Sequence, residues 1–207
     1  MKKQDGCIIN INKSVEKLDN KCKDILPLHA LTGCDSVSYT FEKGKITAIN
    51  LLIKSNLSLE DMCVLGTSEA EIVCVETEFL VELYGGKSRS NLNSVRYELF
   101  SKKVNPPQIK SLPPTDQSAV NHIKRAHLQI ILWCSADSVA PLDVDINNFG
   151  WQIAENKTVK SQYGSCKVSP PSLLEVICCS CRSDNPYSKK LRLPFIRTKL
   201  YILLQMR

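Results

Sequence analysis

Two short turns hold the residues of this sequence that are best suited to chemistry, Leu31–Asp35 (LTGCD) and Glu42–Lys45 (EKGK). In the first turn, Gly33 permits a tight bend that presents the Asp35 carboxylate at the expected start of a helix. Such a carboxylate suits Mg²⁺ or Mn²⁺, because a hard divalent cation takes one or two protein carboxylates and leaves its other positions to water and substrate phosphate. The ordinary alternative for an Asp after Gly is a helix N-cap.

The second turn suits the phosphate backbone of a nucleic acid. Gly44 at a helix N-terminus lets a phosphate approach exposed backbone N–H groups, and Lys43 and Lys45 add positive charge. A further basic pair, Lys124 and Arg125, lies on a predicted helix. Because the net charge is only +6 and the basic residues are spread along the chain, a solvated basic surface is the alternative to nucleic-acid binding.

Apolar spacing predicts the helices that position these turns. One helix is expected over residues 23–31, stopped by Thr32-Gly33, and another over residues 45–54. Capping-box patterns begin at Ser58 and Ser68, and the second predicts a helix of about 16 residues that ends at Gly85-Gly86. Three further helices are expected, within residues 8–18 after a short strand, over residues 94–102 and over residues 115–134. In the last of these, one apolar stripe contains Ala119, Ile123, Ala126, Ile130 and Cys134.

Two changes in composition divide the chain. Residues 104–114 contain four prolines and predict an extended linker, and the pieces after residue 140 are short and strand-like. The predicted organisation is a partial nuclease-like region at 1–103, the linker, and the long helix within 115–140. An irregular and β segment comes next at 141–182, and a basic apolar tail of unknown role at 183–207.

Composition excludes several classes of protein. Of the 207 residues 43% are apolar and 23% charged, which argues against wholesale disorder. We find no signal peptide and no apolar window of about 20 residues, so we expect an intracellular protein, nuclear or cytoplasmic, that is neither secreted nor in a membrane. The ten cysteines should then be reduced thiols, and the dispersed ones should be small core residues. We expect His29 to be a hydrogen-bonded core residue, while His122 and His127 have the wrong spacing for one metal ion.

The string LHALTGCDSVS, followed by GKITAINLL, resembles a segment of proteins encoded by invertebrate mobile elements. That segment is in turn similar to the LxGCDY…GIGxxxAxxL region of flap endonucleases and other PIN-like nucleases. The resemblance implies that Asp35 is a divalent-metal ligand and that Lys43, Gly44 and Lys45 form a turn that grips the DNA backbone. Weaker similarities continue in order to about residue 181, where Cys178-Cys179-Ser180-Cys181 resembles the start of a tesmin-type CXC domain, which binds zinc.

The sequence departs from this pattern at both ends. A two-metal nuclease site needs several convergent carboxylates, and none of the acids before Asp35 has a metal-ligand context, so the upstream half of the domain is expected to be missing. A structural zinc site needs four ligands. No Cys or His comes after Cys181, and only Cys166 could join Cys178, Cys179 and Cys181, so zinc is not expected.

The sequence therefore predicts a mainly α (α+β) fold. It would comprise the C-terminal fragment of a PIN-like nuclease domain, a helical extension and a small irregular or β C-terminal part. The predicted function is that of a catalytically incomplete remnant of a mobile-element PIN-like nuclease, with DNA or RNA as partner and no small-molecule cofactor. Three alternatives remain. They are a nucleic-acid-binding module that uses Lys43–Lys45 and Lys124/Arg125, an active nuclease completed by a partner chain or by Asp19 and Asp24, and a helical protein-interaction domain.

Overall fold

A computed structural model describes residues 10–101, 108–140 and 142–162 of the chain. This part is mainly helical with a small β part, as the sequence predicts, and the β part is one two-stranded antiparallel sheet. The helices are α1 (Ile11–Leu18), α2 (Ile25–Leu31), α3 (Lys45–Lys54), α4 (Glu69–Leu83), α5 (Leu92–Ser101) and α6 (Asp116–Cys134). Short 3-10 helices cover Asp19–Asp24, Glu60–Cys63, Ile109–Ser111 and Ile146–Phe149, and the strands are β1 (Trp151–Ile153) and β2 (Val159–Ser161).

The long helix α6 is the centre of the described fold, packing against both α2 and α4. It begins where Thr115 caps it, since the Thr115 hydroxyl accepts a hydrogen bond from the Ser118 amide at 3.3 Å. Four members of its predicted stripe are fully buried, and burial of one such isoleucine contributes about 1.5–3 kcal/mol. These four residues are Ala119, Ile123, Ala126 and Ile130. The fifth, Cys134, is exposed because it is the last residue of the helix, beyond its packed length.

Helix α4 buries the apolar face that its spacing predicts, with Ile72, Phe79, Leu80 and Leu83 in the core. Glu76 lies on the same face and is only 1% exposed. The helix ends as expected at Gly85, whose φ of 79° lets the Gly85 and Gly86 amides turn back onto the carbonyls of the last turn. The sequence predicts a boundary between residues 1–103 and the long helix. The structure does not separate the two in space, since α2, α4 and α6 contribute to one core cluster.

Neither predicted capping box forms as expected. The Ser68 side chain makes no capping hydrogen bond, although α4 begins at the next residue. The Ser58 hydroxyl instead donates to the buried Asp24 carboxylate at 3.0 Å, and the same Asp24 oxygen accepts from the Leu59 amide at 2.7 Å. The Asp24 carboxylate, from a distant part of the chain, therefore accepts the hydrogen bonds of this turn. The turn leads into a 3-10 helix.

The cysteines also differ from expectation. Cys22, Cys34 and Cys63 are half-buried free thiols, and Cys74 and Cys134 are exposed. The prediction that these dispersed cysteines fill the core is therefore wrong, because each lies at the margin of the apolar cluster or outside it. Over residues 10–101, 108–140 and 142–162, no helix combines the length and apolar character needed to cross a membrane.

Candidate functional site

The LTGCD turn leaves helix α2 and doubles back on itself. The Thr32 hydroxyl donates to the Leu28 carbonyl at 2.7 Å and closes the helix. Gly33 then adopts φ 110°, a conformation that favours glycine, and the backbone amides and carbonyls of Cys34 and Val37 pair with each other. Asp35 is exposed in this bend. The expectation that Asp35 starts a helix is wrong, because the chain continues as a loop up to Gly44.

Lys45 connects the two predicted turns. Its ammonium donates to the His29 carbonyl at 2.9 Å, to the Gly33 carbonyl at 2.7 Å and to the Thr32 hydroxyl at 3.3 Å. A cation at this place satisfies carbonyls that the end of a helix leaves open and complements the negative end of the α2 dipole. Partial burial lowers the pKa of Lys45 from its usual value. Lys45 therefore holds the LTG turn to the start of α3, a contact that the sequence prediction of phosphate binding did not include.

The Asp35 carboxylate and the Lys45 ammonium both act on the ionisation of His29. Partial burial lowers the pKa of His29, the Lys45 ammonium lowers it further, and the Asp35 carboxylate opposes both. His29 is exposed and its ring lies 5.7 Å from that of Trp133, so the expected hydrogen-bonded core position is wrong. No group of three or more His, Cys, Asp or Glu side chains that could hold a metal ion occurs among the described residues. Asp35 as a Mg²⁺ or Mn²⁺ ligand stays a prediction.

The second turn presents an open helix start. Gly44 is the N-cap of α3, makes no side-chain capping bond, and has no heavy atom within 4 Å of the place where a Cβ would stand. The first-turn N–H groups of a helix have no partner inside the helix. Lys43, beside it, lies over the Tyr84 ring with its ammonium 5.6 Å from the centroid. Lys43 and Gly44 therefore share an open surface, whereas Lys45 faces the LTG turn.

The basic pair on α6 takes part in internal contacts. Lys124 forms an ion pair of 2.8 Å with Glu69 at the start of α4. Arg125 donates to the Gly150 carbonyl at 3.1 Å and lies 5.6 Å from the Trp151 ring. These contacts attach α4 and the β-hairpin to α6, and they give both cations a structural role in addition to the one predicted.

A groove beside the LTGCD loop brings together residues that the sequence did not connect. One concavity of about 590 Å³ lies between the loop after Val37 and helix α6. A second, of about 730 Å³, shares Lys110, Pro114 and Ser118 with it. The two walls contain three cationic side chains and six hydroxyl groups, and no described lining residue is Asp or Glu. The cations are those of Lys110, Arg125 and Arg96. The hydroxyl groups are those of Ser38, Tyr39, Thr40, Tyr84, Thr115 and Ser118.

Aromatic rings that line this groove contact lysine side chains. The Lys110 ammonium lies 4.3 Å from the Phe41 ring centroid, a cation–π contact between the LTGCD loop and the segment before α6. Tyr84 lines the same wall and carries Lys43 on its ring. Tyr39 also lines the groove and is 78% exposed, so its ring is accessible to a ligand.

His122 fixes the inner wall of the groove. Its Nε2 lies 2.8 Å from the Leu31 carbonyl, which can only accept, so Nε2 carries the proton. Its Nδ1 then accepts from the Ser38 hydroxyl at 3.3 Å. Burial lowers the pKa of His122, so the ring is neutral at physiological pH. His122 is a structural residue that orients Ser38.

The four candidate zinc ligands, Cys166, Cys178, Cys179 and Cys181, lie outside the described residues. Residues 163–182 of the predicted segment 141–182, and the whole predicted tail 183–207, lie there too.

Comparison with known proteins finds no family model, no curated protein and no solved structure that matches this chain. The residues themselves and the LTGCD resemblance are therefore the basis for any function proposed for this chain.

Proposed function

We propose that this chain is a catalytically incomplete remnant of a mobile-element PIN-like nuclease that binds nucleic acid through the groove beside the LTGCD loop. The observation that carries the binding is the composition of the groove wall, which combines cations, hydroxyl groups and aromatic rings with no described carboxylate. Phosphates favour such a wall because bound lysines and arginines release the counterions of the strand. Lys43 and Lys110 have no acid partner among the described residues, so their charge is available to a polyanion.

Catalytic incompleteness is proposed because, in the described part of the chain, Asp35 belongs to no group of three or more side chains that could hold a metal ion. Phosphodiester hydrolysis by the two-metal route needs carboxylates that hold two ions about 3.5–4 Å apart. One carboxylate cannot supply the ligands that hold two such ions. The alternative of an active nuclease would be supported if the chain cleaved flap or single-stranded DNA with Mn²⁺ or Mg²⁺ and Asp35→Ala abolished this cleavage.

The groove favours an unpaired strand over a duplex. A concavity of about 590 Å³ is in the size range of small-molecule sites, about 300–1,000 Å³, so it admits splayed bases one or two at a time. A base can stack on the accessible Tyr39 ring, while Lys43, Lys110 and the open start of α3 face the backbone of the strand. Stacking on aromatic side chains combined with a positive groove is how sequence-tolerant single-strand binding works.

Charge reversal at the two unpaired lysines is expected to weaken binding strongly. We expect Lys43→Glu/Lys110→Glu to reduce the affinity for a fluorescent 12-nucleotide single strand at least tenfold at low salt. The slope of log K against log salt should also decrease by about 0.7 for each lost phosphate contact. Fluorescence anisotropy over a salt series measures both quantities.

The matched control is Lys13→Glu/Lys17→Glu, which changes the net charge equally on α1, a helix that does not line the groove. If the control weakened binding as much as the groove variant, the interaction would be general attraction to a basic protein. Absence of binding by the unmodified chain would refute the proposed function.

Removal of the exposed ring tests the single-strand assignment. We expect Tyr39→Ala to weaken single-strand binding about 5- to 150-fold, the range for loss of one stacked base, with no change in the salt slope because no phosphate contact is lost. Tyr39→Phe should retain the affinity. Tyr97, 62% exposed on α5 and outside the groove, supplies the control Tyr97→Ala. Tighter binding of a hairpin duplex, unaffected by Tyr39→Ala, would contradict the assignment.

A further inference from the structure

Arg96 on helix α5 is a buried cation that lines the second concavity of the groove. The residue is only 9% exposed, and its Nη1 donates to the Pro113 carbonyl, which holds the guanidinium beside the start of α6. A guanidinium has five N–H donors. The others are not sealed in the core, since the buried side-chain atoms without a partner in the described part of the chain are Glu76 Oε2 and His127 Nε2. Donors of Arg96 therefore reach the open space of the concavity.

The charge of Arg96 has no carboxylate to balance it. A buried charge is costly unless it is paired, yet none of the ion pairs among the described residues includes Arg96. Asp116, in the first turn of α6, lines neither concavity, and its carboxylate accepts from the Leu92 amide at 2.8 Å. Burial lowers the pKa of Arg96 to about 10, and Tyr84 opposes this effect. Arg96 is therefore still protonated at neutral pH, beside a concavity that it shares with a second cation, Lys110.

We propose that this concavity binds a terminal phosphomonoester, the phosphate at the end of a nucleic-acid strand, with Arg96 as its principal ligand. A monoester carries about 1.5–2 negative charges at neutral pH, whereas each phosphodiester inside a strand carries one. A guanidinium binds phosphate oxygens through two parallel N–H···O bonds. The inference rests on the proposed function, because the strand whose end is bound lies in the groove.

The rest of the wall suits the same ligand. The hydroxyl groups of Thr115 and Ser118 line the concavity, and both residues stand at the N-terminus of α6, a helix of 19 residues. The positive end of a helix dipole favours a phosphate there. Lys110 and Ser118 line both concavities, so a strand whose bases occupy the first can place its terminal phosphate in the second.

Strands that differ only in their end groups test this inference. We expect the unmodified full chain to bind a short single strand with a 5′- or 3′-phosphate at least about tenfold more tightly than the same strand with hydroxyl groups at both ends. Fluorescence anisotropy measures the affinities, with the fluorophore attached inside the strand, and the two phosphorylated strands show which end is recognised. Inorganic phosphate should reduce this preference more than chloride does at equal ionic strength.

A carboxylate placed in the wall should remove most of the preference. Gln108 is an exposed lining residue, so Gln108→Glu should repel the terminal phosphate without disturbing the core, and should weaken binding of the hydroxyl-ended strand much less. The matched control is Gln152→Glu, on the exposed side of β1 and outside both concavities, which should retain the preference.

Arg96→Lys separates phosphate binding from a purely structural role. Lysine keeps one charge but loses the paired donors, so the preference should fall several-fold while the affinity for the hydroxyl-ended strand is retained. An Arg96 that only held Pro113 would weaken binding of all three strands alike. Equal affinity of the unmodified chain for the three strands, or a preference that survives Gln108→Glu, would overturn this inference and leave groove binding intact. No binding of any strand would refute the proposed function and this inference with it.

Discussion

Glu76→Gln is expected to stabilise the protein by about 2–4 kcal/mol at pH 8.5 and to change its stability little at pH 4.5. Glu76 is 1% exposed on the core face of α4, and its Oε2 has no hydrogen-bond partner. Burial is the main cause that raises the pKa of this carboxyl to about 8; a backbone hydrogen bond opposes it, and the nearby Asp61 adds to it. The uncharged amide of glutamine has no carboxylate to desolvate, so the variant avoids this cost at high pH.

The sign of the pH dependence follows from the pH at which Glu76 loses its proton in the folded and in the unfolded chain. The unfolded chain ionises Glu76 near the ordinary value of 4.5, whereas the folded chain keeps the proton until about pH 8. Between these values the folded state binds one proton more, so the free energy of unfolding falls as the pH rises. The stability that the neutral carboxyl contributes is complete below pH 4.5 and is lost as the pH passes through 8.

Urea unfolding at pH 4.5, 6.5 and 8.5 measures this difference. The matched control is Glu71→Gln, an exposed glutamate on the same helix, which should shift the free energy of unfolding by less than about 0.5 kcal/mol at each pH. An equal effect of Glu76→Gln at all three pH values would mean that Glu76 is ionised in the folded protein and has found a partner there.

Much of the helical framework could be predicted from local pattern. Helices α4 and α6 match the apolar spacing and end at the expected glycines, caps or polar residues, because burial of one face outweighs other local preferences. Helix α3 has the expected bounds, but Ile46 and Ile53 of its predicted apolar face are exposed. The same apolar spacing in α4 also assigns Glu76 to a buried position. Glu76 stands four residues after Ile72 and four before Leu80, so the period that predicts their burial also places Glu76 on the core face.

The groove could not be predicted, because its wall is assembled from contacts between distant residues. The Phe41–Lys110 contact joins positions 69 residues apart, and the Ser38–His122 hydrogen bond joins positions 84 apart. Neither pair produces a local period or motif. The LTGCD resemblance implies roles for Asp35, Lys43, Gly44 and Lys45, and of these Lys43 and the helix start at Gly44 belong to the proposed binding surface. Tyr39 and Lys110, which complete that surface, belong to no motif. Lys45 also shows how a motif lysine can close a helix end, a role that spacing does not distinguish from phosphate binding.

Gly33→Ala is expected to destabilise the protein by about 3 kcal/mol or more, the largest effect of any single change in the LTGCD turn. A Cβ at this position would stand 2.4 Å from both the Cα and the Cβ of Tyr39. The first of these atoms is backbone and cannot move without moving the loop. Alanine would also have to adopt φ 110°, which alone costs about 1–3 kcal/mol.

Gly66→Ala separates the two causes. Gly66 has a similar φ of 95°, but a Cβ there would meet no heavy atom within 4 Å, so this variant measures the backbone strain without the steric overlap. Urea unfolding should therefore show a clearly larger loss for Gly33→Ala than for Gly66→Ala. Equal losses would mean that the Tyr39 backbone does not lie on Gly33 in solution. The loop from Ser38 to Phe41 would then occupy another position, and the groove whose wall it forms would not have the shape from which binding is inferred.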